Sequence, residues 1–342
     1  MQLTRRAGEH KPLGLRGYII KRIFYSIILV FLVITLNFII FMLMPGNPIM
    51  NMANPARFRT TEQYEEQLRR FGLLDPPLEK YAKYVQNMLT FQFGYSYVTY
   101  DLIANEISER LMNTLVLSIA CEVVAITLGI VLGVISAYKR GGIFDSASVL
   151  FSIATNALPV FWVGMLLLLV FSFNLQWFPF GYTYPPEWAF PGRWPTNILV
   201  EIQYRLWHLF LPTAALVIIL MGSYVLITRA SMLEVLSEDY LVTARAKGVS
   251  ARKILFKHAF KNASLPIITQ VAIAFGFTLS GAIVTETVFS YPGMGLWIWR
   301  SIEKFDYPAL QAIFFIVALC VIIANFLADL VYGIVDPRIK YE

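Results

Sequence analysis

Six stretches of this 342-residue chain are long, apolar and nearly free of charge. A helix needs roughly 20 mostly apolar residues to cross a bilayer, and each stretch reaches about that length. They are Ile23–Met44, after Lys21-Arg22; Thr114–Ala137, broken only by Glu122; Ser148–Asn174, within the charge-free run Ser146–Pro186; Leu209–Thr228, closed by Arg229; Pro266–Phe289, with Glu286 near its end; and Ala309–Val335, with Asp329 near its end. Strands of a membrane barrel run about 9–11 residues and alternate in polarity, which these stretches do not. The prediction is an all-α integral membrane protein with six transmembrane helices. The first span is too long for a signal sequence, whose apolar part is roughly 7–15 residues, and no small-residue cleavage site follows it.

Composition closes off other classes. Hydrophobic residues make up 57% of the chain and charged residues 15%, against about 45–50% and 25% in a soluble domain. Too few charges remain to cover a soluble surface. This excludes a nucleic-acid module, a disordered chain and an ordinary cytosolic enzyme. The net charge of +6 then reads as membrane orientation. Of the 28 Lys and Arg, 17 fall in residues 1–22, 138–147, 229–265 and 336–342; the longer set 45–113, 175–208 and 290–308 holds the other 11. The basic-rich side is cytoplasmic, which places both termini inside. Residues 1–22 form a cytoplasmic segment, 23–44 the first span, 45–113 an external segment, 114–335 the other five spans and 336–342 a cytoplasmic tail. Cys121 and Cys320 lie in apolar runs, where each packs as a small hydrophobe.

The external segment 45–113 predicts two amphipathic helices, Thr61–Phe71 and Leu78–Leu89, split at Leu74-Asp75-Pro76-Pro77, because a residue before proline avoids the helical region. Segment 175–208 is dense in aromatics, with Trp177, Tyr182, Tyr184, Trp188, Trp194, Tyr204 and Trp207. These suit an interfacial belt, with a sugar-stacking platform as the sharper alternative. The cytoplasmic segment 229–265 is polar yet built like structure. Ser237 is placed as an N-cap before the acids Glu238 and Asp239. A helix follows over Glu238–Lys247, Gly248 closes it, and Ser250 caps a second helix, Ala251–Ala263. No Walker-type phosphate loop, zinc-protease motif or potassium-filter motif occurs. His10, His208 and His258 all fall outside the middle of a span, so an intramembrane metal site or Ser–His protease is not expected.

Motifs along the chain carry a resemblance. Lys21-Arg22-Ile23 through Pro45-Gly46-Asn47-Pro48, Phe71-Gly72-Leu73 with Asp75-Pro76-Pro77, and Phe93-Gly94-Tyr95-Ser96 stand in the first third. Arg140-Gly141-Gly142 with Asp145, and Pro159-Val160-Phe161-Trp162, follow. Tyr240-Leu241-Val242-Thr243-Ala244-Arg245-Ala246-Lys247-Gly248, Glu286-Thr287-Val288-Phe289-Ser290-Tyr291-Pro292-Gly293-Met294-Gly295 and Asp336-Pro337-Arg338 complete the set. In this order, over residues 16 to 340, the chain resembles the permease subunits of dipeptide/oligopeptide-type ABC importers. That group also includes nickel-chelate and oligosaccharide carriers. The general permease loop has Glu-Ala-Ala six to four residues before its glycine. Here those places hold Val242, Thr243 and Ala244, and Leu265-Pro266 comes five residues later than the general pattern.

The resemblance implies a type I importer permease with both termini inside. It implies a second, homologous permease subunit, two ABC ATPase subunits that bind ATP and Mg, and an extracellular substrate-binding protein. This chain would bind no cofactor, metal or nucleic acid, would sit in the lipid bilayer of the cell membrane and would have no ATPase activity of its own. Tyr240, Thr243, Ala244, Arg245, Ala246, Lys247, Gly248 and Val249 are the candidate coupling residues: small side chains allow close approach to an ATPase groove, and Arg245 and Lys247 can pair with acids. Pathway or gate candidates are Glu122, Glu286, Tyr291, Pro292 and Gly293. Glu122 faces the pathway or pairs between helices; Glu286 serves a gate or snorkels to the interface; Asp329 is structural. Gly129 and Gly133 mark close helix packing. A channel or secondary transporter is the competing class.

Overall fold

The computed structural model describes residues 15–43, 75–250, 253–281 and 283–335. Its elements are α1 (Leu15–Leu43), α2 (Pro77–Leu89), α3 (Ile103–Tyr138), α4 (Ile143–Ala157), α5 (Val160–Leu167, continued by a π-helical stretch Leu168–Asn174), α6 (Ile198–Leu236), α7 (Asp239–Ala246), α8 (Phe260–Gly281, led in by a π-helical stretch Ile254–Ala259), α9 (Ile283–Val288), α10 (Met294–Glu303) and α11 (Tyr307–Val335). A short 3₁₀ turn covers Pro186–Ala189. The predicted helix Thr61–Phe71, the Pro45–Pro48 motif and the tail 336–342 lie outside the described residues.

Among the described residues, four helices, α1, α3, α6 and α11, are long and apolar enough to cross a membrane, and the bent α4–α5 pair makes a fifth if it is one span. α1 is apolar on nearly every side and exposed along its length, with Ile20, Phe24, Ile40 and Leu43 all bare. A helix of that kind needs an apolar surrounding. α3 and α6 run past their predicted ends. α3 has 36 residues, about 54 Å at 1.5 Å per residue, far more than the roughly 30 Å hydrocarbon layer. It starts at Ile103 because nothing between there and Thr114 breaks a helix: Ile103 and Ile107 face the core, and Arg110 pairs with Glu106 at 2.6 Å.

The third predicted span is not one rod. α4 and the α5 arm meet at a 102° bend. Leu158 is extended at φ −82°, ψ 136°, the conformation that Pro159 imposes on the residue before it. The fifth predicted span is displaced as well. Pro266 lies inside α8 rather than at its start, so the predicted second loop helix does not stop at Ala263. It merges through the π-helical stretch into the apolar helix.

Three packing regions hold the bundle. Near the start of α3, Met88, Phe93, Ile103 and Ile107 meet Trp297 of α10 and Leu310 and Ile313 of α11. In the middle, α3 and α6 form the most extensive helix pair. A Cβ on Gly133 would lie 2.6 Å from Thr228 Cβ, and one on Gly129 would collide with Tyr224. These glycines let the two backbones touch, as the spacing predicts. At the far end, Val134, Ala137, Met232, Leu241, Ile254 and Ala259 close a third cluster.

Candidate functional site: the turn between α6 and α8

α6 ends at Ser237. Its hydroxyl donates back to the Glu234 carbonyl at 2.6 Å, and its backbone stays near helical at φ −87°, ψ −7°. Ser237 therefore closes α6 instead of capping α7, which corrects the predicted N-cap. α7 begins two residues later, at Asp239. Its far end follows the chemistry of its glycine: Gly248 stands at φ 76°, and the Val249 amide donates to the Ala244 carbonyl at 3.2 Å. A left-handed residue followed by this six-to-one bond is a Schellman close, and the apolar contact that goes with it joins Val249 to the same cluster as Ala244.

Among the described residues, Leu241 is the most deeply buried side chain of α7 and fixes it to the bundle. It packs among Met232, Ala137 and Ile254. Ala244 and Val249 turn the same way and are half-buried, so Ala244 packs inward and is not part of an exposed small-residue face. Tyr240, Val242, Thr243, Ala246, Lys247 and Gly248 are exposed. The Tyr240 hydroxyl accepts from Asn262 Nδ2 at 2.7 Å, and Thr243 Oγ1 donates to the Asp239 carbonyl at 3.2 Å. The side chain of Arg245 lies outside the described residues. Leu241 escaped sequence reasoning, although it is the strongest apolar side chain in α7 and stands three residues from Ala244, on one helix face.

The other candidates separate into two places. Glu122 is buried in the α3–α6 seam and accepts from the Tyr224 hydroxyl at 2.8 Å, an interhelical pairing. Glu286, Tyr291, Pro292 and Gly293 come together at the opposite end of α3. The Glu286 carboxylate is fully buried and does not snorkel. It accepts from Thr114 Oγ1 at 2.7 Å and from the Leu296 amide at 3.0 Å. Thr114 Oγ1 in turn accepts from the Met294 amide at 2.8 Å. The free amides of the first turn of α10 thus find oxygen from two other helices. Asn113 Nδ2 donates to the Pro292 carbonyl at 2.9 Å, and the Tyr291 hydroxyl to the Asn113 carbonyl at 3.2 Å. Asn113 and Thr114 were not foreseen. Asp329 pairs with Arg22 at 2.7 Å, joining α11 to α1.

In segment 175–208 the rings pack on one another. Trp188 lies 5.5 Å from Trp194 and 5.3 Å from Tyr204, and the Arg205 guanidinium sits 5.5 Å over Tyr184 and 5.6 Å over Trp194. Arg205 also pairs with Glu201 at 2.8 Å.

Comparison with known proteins fits a chain of apolar helices. Residues 129–341 match the family described as "Binding-protein-dependent transport system inner membrane component". The chain belongs to that family: it is a multi-pass inner-membrane permease subunit, the membrane component of a transport system and not its ATPase. More particularly, it is 36% identical over 336 residues to the di/tripeptide transport system permease protein DppB of Pseudomonas aeruginosa (strain UCBPP-PA14), covering 95% of this chain and 99% of that protein. It is 36% identical over 326 residues to the oligopeptide transport system permease protein AppB of Bacillus subtilis (strain 168), with 95% and 99% covered. It is 35% identical over 328 residues to the glutathione transport system permease protein GsiC of Escherichia coli O1:K1 / APEC, again with 95% and 99% covered.

Proposed function

We propose that this chain forms half of the pathway by which an ATP-driven importer moves short peptides, and that it is coupled to its ATPases through the 229–265 segment. The relatives named above are peptide or glutathione permeases along nearly their whole length, which supports peptide cargo over oligosaccharides or nickel chelates. The partners are a homologous permease, two ABC ATPase subunits that hold ATP and Mg, and an extracellular binding protein that delivers the peptide. Both termini face the cytoplasm.

The observation that carries the coupling role is the two-sidedness of α7. Leu241 anchors it to the ends of α3 and α6, while Tyr240, Val242, Ala246 and Lys247 stand exposed on its other side. A short helix held this way can pass a push from a docked ATPase to two long helices at once. Energy from ATP enters only where the subunits touch, and α7 is a short closed helix on the basic-rich side.

Gly248→Val tests the coupling. A β-branched residue at positive φ costs about 1–2 kcal/mol of backbone strain, which is small for so large a bundle. The expected result is normal abundance in the membrane, weakened co-purification of the ATPases and lost uptake. Arg245→Glu should weaken docking too, more so at low salt. Normal ATPase association and uptake in both variants would rule out this loop as the coupling element. Orientation is checked separately, in a background lacking Cys121 and Cys320. A cysteine at Asn54 should react with an impermeant thiol reagent from outside, and one at Ser250 should not.

A further inference from the structure

Asp145, in the first turn of α4, is 3% exposed. Its carboxylate collects four donors: Arg229 Nε at 2.5 Å and Nη2 at 2.9 Å, Ser136 Oγ at 2.5 Å, and the Gly141 amide at 2.9 Å. These donors come from three places, namely α6, the end of α3 and the turn that joins α3 to α4. The fork of a guanidinium against a carboxylate fixes distance and angle together. Arg229 lies on α6 just past the seam where Gly133 meets Thr228, and α6 continues unbroken from Arg229 to its close at Ser237.

Packing is different a turn away. An open groove of about 420 Å³ is lined by Ala137, Arg140, Leu236, Val249, Ile254 and Leu255. The chain after α7 meets the end of α3 through the cluster that holds Ala137, Val249 and Ile254, and the groove lies beside that contact. α4 meets the helix that leads into α7 in two places: further along, Gly222 stands against Ser152 and Thr155, with Ser223 Oγ donating to Asn156 Oδ1 at 3.2 Å, and at the start of α4 the Asp145–Arg229 pair makes the link.

We propose that Asp145 and Arg229 are a positioning pair that makes the start of α4 follow the end of α6 when the α7 turn is moved by nucleotide binding in the ATPases. The inference rests on the coupling role of α7. It adds a specific route, in which displacement of α7 enters α6, and the bidentate pair carries it across to α4 and the bent α4–α5 arm. Without the pair the ATPases still dock, but the first turns of α4 are left behind.

The experiment uses the assembled importer in lipid nanodiscs, in a background lacking Cys121 and Cys320, with Ala147→Cys as a reporter on the exposed side of α4. A membrane-permeant maleimide reads its labelling rate with and without ATP and vanadate. With the pair intact, nucleotide trapping should change that rate by about fivefold, the low end of a coupling between distant sites. Arg229→Met should abolish the change while the ATPases remain bound and still trap nucleotide. Arg229→Lys keeps the charge and loses the fork, so it should give an intermediate change. Removing one partner leaves a buried charge unpaired, so Asp145→Asn combined with Arg229→Gln is the deciding variant if Arg229→Met does not accumulate. A nucleotide-dependent change that persists in this neutral pair overturns the proposal, as does its absence when the pair is intact. Failure of the neutral pair to accumulate makes the contact a folding element only, and also overturns the proposal. Loss of the ATPases from that variant places the defect at docking and overturns it as well. Failure of the α7 reading looks different, because Gly248→Val would then retain its ATPases and its uptake.

Discussion

At Gly248 the backbone stands at φ 76°, and an added Cβ would meet nothing within 4 Å; at Gly293 an added Cβ would lie 2.5 Å from the carboxyl group of Glu286. The backbone at Gly293 is ordinary, φ −104° and ψ −171°, open to any residue. One glycine is required for its conformation and the other for its lack of volume. The two turns stand at opposite ends of α3, one near Asn113 and Thr114, the other near Val134 and Ala137. The Gly293 turn is sealed, with a carboxylate, a hydroxyl and an amide side chain all satisfied inside it. The Gly248 turn is open, with exposed neighbours and a groove beside it. A sealed turn fails by losing the fold; an open one fails by losing a partner.

The largest effect expected from this contrast is at Gly293. A methyl group there must push the Glu286 carboxylate off its two donors. Overpacking costs about 1–3 kcal/mol, and a buried donor left without an acceptor costs about 1–3 kcal/mol more. Gly293→Ala should therefore accumulate poorly in the membrane and lower the melting temperature of what remains in detergent. Gly248→Ala should accumulate normally. Equal abundance of the two variants would show that the Glu286 turn yields easily and is not sealed.

Next in size is Glu286 itself. Glu286→Ala removes the acceptor of both Thr114 Oγ1 and the Leu296 amide and leaves a hole, a loss of about 2–4 kcal/mol. Glu286→Gln keeps the shape and one acceptor oxygen, so it should cost about half as much. Thermal unfolding of the purified chain measures both. Uptake separates a cap from a gate: a cap tolerates Gln with transport intact, whereas a carboxylate needed along the pathway loses transport at near-normal stability.

What could be read in the sequence follows the range of the interactions involved. The apolar helices were legible because hydropathy accumulates along contiguous residues. The Gly248 turn was legible because a helix close depends on four or five neighbours. The break at Leu158-Pro159 was equally local, and was missed because the unbroken apolar run outweighed one proline. The ends of α3 and α6 were not legible from hydropathy, since a helix has no reason to stop where the membrane does. The most distant partners of Glu286 and Asp145 lie 172 and 84 residues away. No periodicity carries that information; Thr114 and Arg229 look like ordinary residues at span ends until the fold brings them to their acids. Glu122 was recognised as unusual for its place in an apolar run, but its partner Tyr224 sits 102 residues on.

The smallest effect returns to Gly248 and asks whether conformation alone explains the glycine. No neighbour crowds the position, so the cost of a side chain is the cost of the left-handed backbone. Alanine should lose about 1 kcal/mol there, and asparagine, which visits this region more readily than other side-chain-bearing residues, only a few tenths. The Val249 amide, bonded to the Ala244 carbonyl across the turn, reports the difference directly. Its hydrogen exchange should speed up about fivefold in Gly248→Ala, the factor that 1 kcal/mol gives, and by less than about twofold in Gly248→Asn. Both variants should retain the ATPases, because neither is β-branched and the Schellman close survives. If alanine instead releases the ATPases while Val249 exchanges at the wild-type rate, the glycine is needed for close approach by the partner. The open turn would then be a volume-limited site in the assembled importer, as Gly293 already is within this chain.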